Sequence, residues 1–295
     1  MNFKSIPKKI LLVGVIVISI ICFTVVLLFQ SKYCLTSSNY ILNSEKITAG
    51  IRIIQLTDLH NSEFGEDNQR LIDMVEKQSP DLILITGDQL NQDEADTSVA
   101  VHAVAALCEV APVYFSLGNH EIDYQENYQV DVKALFESAG ATVLDWEYVD
   151  LTINGQDIRL GGIYGYCVPA RFLETKEADL DECRFLYKFQ DTESYTILMC
   201  HMPYCWLMSN GINEWDIDCV FSGHTHGGQI IFPLIGGLYG PDFGWFPGKL
   251  EGLYFSDERD KVLVLSRGLG SSGTIPRFNN VPEIMVVDLL PLDSN

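Results

Sequence analysis

Five short stretches of the 295-residue chain place metal-ligand side chains directly after apolar, β-like segments: Asp58-Leu59-His60, Gly87-Asp88, Gly118-Asn119-His120-Glu121, His201, and Gly223-His224-Thr225-His226. The chain has six histidines, and only His102 falls outside these stretches. Each stretch alone has an ordinary explanation: a Gly-Asp pair makes a turn, and a single histidine after a strand is commonly a satisfied polar residue. Their joint occurrence at successive strand ends points instead to one metal site. Carboxylate oxygen and imidazole nitrogen with no thiolate suit Mn²⁺, Fe or Zn²⁺. In extended backbone, residues two apart share a face, which would bring Asp58 with His60, and His224 with His226, to one side.

Strands must deliver these residues to a common edge, and the sequence supplies them. Residues 51–57, 81–86 and 113–117 read as apolar strands, separated by helical spacing over 67–78 and 97–109 and followed by a helical stretch over 128–138. Apolar strands alternating with helices imply right-handed βαβ units, and open sheets of this kind bind ligands beyond the carboxyl ends of their strands. Asn154-Gly155 between alternating segments marks a hairpin inside 142–164. Further strands are expected at 195–200, 218–222, 261–266 and 284–289. This order fits an α/β fold in which a two-sheet β-sandwich is flanked by helices. Residues 230–248 are rich in Gly, Pro and aromatics and read as an irregular loop, with the capacity to form an apolar lip that contacts lipid.

Lys4, Lys8 and Lys9 precede Ile10–Phe29, 20 residues without a charge. A helix of that length spans about 30 Å of hydrocarbon. No alanine occurs before Ala49 and Cys22 follows Ile21, so neither an Ala-x-Ala site nor a lipoprotein site is evident, and an uncleaved anchor is expected. The lysines put the N-terminus in the cytoplasm and the remainder outside, at the cell membrane. The expected organisation is a cytoplasmic 1–9, a transmembrane 10–29, a Ser/Thr/Asn-rich tether over 30–50, and a catalytic domain over 51–295. The net charge is −21; the first 50 residues hold five lysines and one acid, so the rest stands at −25. Such a surface excludes nucleic acid as a main partner. The eight cysteines include no Cys-x-x-Cys pair and are expected to be buried thiols rather than ligands.

With all five blocks in order over roughly residues 51–290, the chain resembles the calcineurin-like metallophosphoesterases. The resemblance implies a four-layer α/β/β/α domain and two divalent ions. One would be held by Asp58, His60, Asp88 and His226; the other by Asp88, Asn119, His201 and His224, with Asp88 shared. A hydroxide bridging the ions would attack phosphorus. Asn119 takes the ligand role in its block, which leaves His120 to stabilise the transition state or protonate the leaving oxygen. Glu121 stands where the family more often has Asp, and Gln89 where Asn is frequent. Arg267 and Arg277, in a late glycine-rich segment, are candidates for gripping substrate phosphate. GHTHGGQI (223–230) and SRGLGSSGTIPRFN (266–279) resemble the membrane-anchored branch, which includes bacterial phosphodiesterases and UDP-2,3-diacylglucosamine pyrophosphatase-like enzymes. That branch implies a phosphodiester or pyrophosphate substrate, with a lipid-linked phosphate among the candidates. The competing function is a non-catalytic metal scaffold or sensor, which would have no use for a free imidazole at His120. A metalloprotease or deacetylase would want His-Glu-x-x-His, which the chain lacks.

Overall fold

The computed structural model describes residues 8–165, 180–248, 250–273 and 275–292. Two six-stranded sheets form its centre. The first contains β1 (Thr36–Ser44), β2 (Ile51–Leu56), β3 (Leu82–Thr86), β4 (Val113–Ser116), β5 (Thr142–Val143) and β15 (Glu283–Pro291), in the order β1-β15-β2-β3-β4-β5. The second contains β6 (Glu147–Ile153), β7 (Gln156–Ile163), β8 (Tyr195–Cys200), β9 (Cys219–Ser222), β13 (Gly252–Phe255) and β14 (Val262–Leu265), in the order β13-β14-β9-β8-β7-β6. β2, β3, β4 and β5 run parallel, as do β7, β8, β9 and β14, while β6 and β7 make the hairpin expected around Asn154-Gly155.

Residue parity on these strands builds the layers. Ile53, Leu82 and Leu84 of the first sheet pack with Leu160, Ile197, Met199 and Phe221 of the second to fill the space between the sheets. Their neighbours Ile54, Ile83 and Ile85 point the opposite way, onto α2 (Gln69–Glu76), α3 (Ser98–Cys108) and α5 (Val132–Ser138). On the far side, Leu198, Val220 and Leu263 pack against Leu186 and Phe189 of α6 (Leu180–Gln190). The result is the expected α/β/β/α sandwich. Gln55, fully buried, ties its sheets together by donating from Nε2 to Thr86 Oγ1 and to the Ser222 carbonyl, each at 2.9 Å.

Three departures from the sequence reading matter for the site. The expected tether over 30–50 is largely structure: β1 pairs in parallel with β15 from Thr36 to Ser44, buries Leu42, and leaves only Cys34 and Leu35 between it and the preceding helix. Residues 230–248 are not an irregular loop but an antiparallel meander of β10 (Ile231–Phe232), β11 (Gly236–Gly240) and β12 (Gly244–Gly248). A helix absent from the reading, α4 (Asn119–Tyr128), starts at the Asn119 block itself and precedes the expected helical stretch. At the N-terminus, α1 (Lys8–Tyr33) is a single apolar helix of 26 residues with nearly all its side chains exposed. By length and composition it is a candidate for a membrane span or a signal sequence.

Candidate metal centre

The five blocks follow β2, β3, β4, β8 and β9, so the carboxyl ends of parallel strands from both sheets converge on one place. The local backbone differs from the extended geometry expected of Asp58-x-His60 and His224-x-His226. Asp58, His60, Asp88, His224 and His226 all have left-handed φ, between 47° and 70°. The chain curls at each strand end, and that curl aims the side chains together. Such conformations are costly for residues with a Cβ, and they collect at functional sites where the surroundings enforce them. Two glycines make room for this packing: a Cβ on Gly118 would overlap the Asp88 carboxylate, and one on Gly223 would overlap Thr57 and Asp58.

The convergence gives three overlapping groups of potential ligand atoms. Asp58, His60 and His226 form one, Asp88, His201 and His224 another, and His60, Asp88 and His120 lie between them. His60 Nε2 and His226 Nε2 are 3.3 Å apart, and His226 Nε2 is 3.5 Å from Asp58 Oδ1. Two nitrogens each about 2.1 Å from one tetrahedral ion would be about 3.4 Å apart, so this spacing fits a shared cation. In the second group His201 Nε2 lies 3.1 Å from Asp88 Oδ2. Neither that approach nor the 3.3 Å approach of His224 Nε2 to Asp242 Oδ2 has hydrogen-bond angles, so both nitrogens are buried without a hydrogen-bond partner, as is Asn119 Oδ1. Orphaned polar atoms are rare in a folded interior, and the two imidazole nitrogens grouped with the Asp88 carboxylate are donors a cation would satisfy.

Outer contacts orient the imidazoles. His201 Nδ1 donates to the Thr86 carbonyl at 2.6 Å, which leaves Nε2 as the nitrogen that faces Asp88. Asn91 donates from Nδ2 to the His60 carbonyl, so its Oδ1, 3.1 Å from His60 Nδ1, accepts that ring proton. His226 Nδ1 lies 3.3 Å from the Gly270 carbonyl, an acceptor, and 3.2 Å from Arg277 Nη2, a donor, so its outer contacts favour neither tautomer. Burial pushes His60 and His226 down to about 3, so both are neutral at pH 7. Burial would lower His201 as well, yet the Asp88 carboxylate holds it up to about 10, and His201 in turn keeps the Asp88 carboxyl below its ordinary range despite burial. A cation between those two groups would take over the role of that proton. The donor set therefore fits divalent ions, and it contains no thiolate.

The Asp88 turn is held by a residue that sequence reasoning set aside. Glu121, fully buried, accepts backbone N–H groups from Asp88 (2.6 Å), Gln89 (2.8 Å), Leu90 (3.1 Å) and Gly118 (2.8 Å). Burial and the nearby Asp88 raise its carboxyl to about 7, against the pull of these donors. Gln89 is turned inward, donating to the Gly87 carbonyl. His120 is half-buried; its Nδ1 accepts the Gln92 N–H at 3.2 Å, its own N–H donates to Asp88 Oδ1 at 2.9 Å, and its ring stands edge-on to His60 at 4.6 Å. His102 is exposed on α3 and joins no such group among the described residues.

The two arginines have protein partners in place of the expected phosphate. Arg267 Nη2 binds Glu283 at 2.7 Å, and its Nε lies 3.1 Å from Glu251. Arg277 is 5% exposed; it donates to the carbonyls of Gly270 and Arg267, each at 2.7 Å, and its Nη2 lies 3.2 Å from His226 Nδ1. It backs the His226 side of the cluster rather than opening toward solvent.

Comparison with known proteins agrees with this geometry. An uncharacterized metallophosphoesterase of Aquifex aeolicus is 28% identical over 271 residues, covering 87% of this chain and 92% of the relative. The uncharacterized metallophosphoesterase YkuE of Bacillus subtilis is 29% identical over 248 residues, covering 81% and 79%. Among solved structures, a 5'-nucleotidase precursor of Thermus thermophilus aligns with a TM-score of 0.46 at 12% identity, over 75% of this chain and 49% of that one, a likeness too low to bear on function. The family model for calcineurin-like phosphoesterase matches residues 51–228, a span that contains all five strand ends with candidate ligands, and the chain belongs to that family.

Proposed function

We propose that the chain hydrolyses phosphodiesters or pyrophosphates with two divalent ions, from a position outside the membrane in which residues 10–29 anchor it. The observation that carries the reading is the pair of orphaned ring nitrogens, His201 Nε2 and His224 Nε2, grouped with Asp88 beside the Asp58–His60–His226 cluster, with Asn119 Oδ1 likewise buried and unpartnered. Asp58, His60, Asp88 and His226 would hold one ion and Asp88, Asn119, His201 and His224 the other. Bound there, divalent ions supply neutralisation of phosphoryl charge and activation of the attacking water. His120 is the residue left for the substrate. With Nδ1 accepting from Gln92, its proton resides on Nε2, the tautomer that can donate to a phosphoryl or leaving oxygen. Mn²⁺, Fe and Zn²⁺ all suit these donors.

The test is a purification of the full chain with each metal, followed by metal analysis and assays on phosphomonoesters, phosphodiesters, pyrophosphates and lipid-linked phosphates. Asp88→Asn should lose metal and turnover together. His120→Ala should keep its metal and lose about 10²- to 10⁴-fold in kcat. Metal retained with no turnover on any ester by the parent chain would instead establish a scaffold or sensor. Unchanged kcat in His120→Ala would remove that residue from the mechanism.

A further inference from the structure

The β10–β12 meander exposes apolar side chains that a free surface would ordinarily hide. Leu234, at the β10–β11 turn, is fully exposed and has a left-handed φ of 71°; Trp245 is 69% exposed and Ile235 59%. Phe232, Tyr239 and Phe246 are exposed beside them. An apolar side chain left bare at a turn, among other exposed apolar side chains, is unfavourable in water. Over 230–248 the only charged residue is Asp242, in a chain of net charge −21. Asp242 is itself exposed, and its carboxylate reaches His224 Nε2 at 3.3 Å.

The meander is also joined to the end of α1. Ile231 donates its N–H to the Phe278 carbonyl at 3.1 Å, and Asn279 Nδ2 donates to the Ile231 carbonyl at 2.9 Å. The next residue, Asn280, donates its backbone N–H to Ser31 Oγ at 3.0 Å and its side-chain amide to the carbonyls of His226 and Gln229. Ser31 is buried there, in the last turn of α1. The same turn carries Phe29 and Tyr33, rings 5.1 Å apart, with Lys32 over Tyr33. Aromatic and basic residues closing an apolar helix mark the headgroup level of a bilayer. Since only Cys34 and Leu35 separate α1 from β1, the domain has no spacer to lift it away.

We infer that the exposed apolar face of the meander is a second membrane contact, seated in the interfacial layer of the bilayer that α1 enters, so that the metal centre is held against lipid headgroups. The contact is apolar rather than electrostatic, and so calls for a zwitterionic bilayer, not an acidic one. The inference rests on α1 spanning the membrane as proposed above, and not on the hydrolytic activity.

Trp245 is one of four tryptophans, and Trp206 and Trp215 are buried, so it can be read by difference. The full chain and Trp245→Phe are reconstituted in phosphatidylcholine vesicles, plain or brominated near the glycerol end of an acyl chain, and tryptophan emission is compared. Brominated lipid should quench a component of the wild-type emission that Trp245→Phe lacks. The double substitution Leu234→Asp with Ile235→Asp should reduce that component without releasing protein from the vesicles. Equal quenching of wild type and Trp245→Phe overturns the inference, as does a Trp245 shielded from aqueous acrylamide yet untouched by brominated lipid, which would signal a second copy or another protein on this face. Vesicles that release the wild-type chain in alkaline carbonate overturn the anchor itself, a failure distinct from that of the meander contact.

Discussion

At the scale of residues, the centre depends as much on what surrounds the ligands as on the ligands. Glu121 is the strongest case, because one carboxylate receives four backbone N–H groups and thereby shapes the turn that presents Asp88. Gln at this position keeps the size but replaces one acceptor oxygen with a donor that faces N–H groups. Leaving buried donors unpaired costs about 1–3 kcal/mol each. Glu121→Gln should therefore lower the thermal midpoint and reduce the metal retained after dialysis, and a variant with the parent's metal content would show that the clamp is dispensable. Arg277 separates two roles that activity alone would confuse. Buried behind His226, it should act on the metals and on kcat; a substrate-gripping arginine would act mainly on KM. Arg277→Lys, which cannot reproduce the fork to the Gly270 and Arg267 carbonyls, should lose metal affinity and kcat with KM little changed. A rise in KM alone would return Arg277 to the substrate.

At the scale of elements, the same evidence explains what a reader of the sequence can and cannot see. The candidate ligands stand out in the sequence because histidine and aspartate at strand ends are chemically conspicuous, whatever the backbone does. Their convergence was legible for the wrong reason: Asp58 and His60 meet through left-handed curls, not through the alternation of a pleat. Asn91 and Asp242 carry no spacing signal, since each reaches the site by a contact distant in sequence; Glu121 stands at capping-box spacing from Gly118, and only its reach to the Asp88 turn is hidden. β1 was hidden because Thr36–Ser44 is an edge strand with mostly half-exposed polar residues, and Leu42 alone is buried; such a segment has the composition of a linker. The meander was hidden because its glycines and prolines, which ordinarily break strands, here permit tight turns and the close approach of Gly237 to Gly228. The error over β1 has a measurable consequence. A soluble fragment beginning at residue 34 keeps the strand, whereas one beginning at 45 removes it and uncovers the edge of β15. Losing Leu42 alone should cost at least about 2 kcal/mol, the low end for a buried leucine. Urea unfolding of the two fragments should thus separate clearly, and coincident midpoints would mean that β1 is held on the sheet without contributing to its stability.

At the scale of the whole molecule, charge sets how substrate arrives. The chain carries −21 overall and −25 beyond its first 50 residues, so even two bound divalent ions would leave the domain strongly negative. A phosphodiester or pyrophosphate is itself an anion, drawn by the metals only at short range and repelled by the surrounding acids at long range. The two influences differ in how salt affects them. Exposed acids farther than a Debye length, about 10 Å at 0.1 M, are screened first, while buried contacts between ligand and metal are screened much less. Raising ionic strength with a salt that does not coordinate metal should consequently lower KM for an anionic ester and leave kcat nearly constant. A neutral or zwitterionic ester should show a much weaker trend. The opposite slope, a KM that rises with salt, would mean that a local positive field at the metal centre outweighs the acidic surface, and that encounter is steered by the site rather than opposed by the domain.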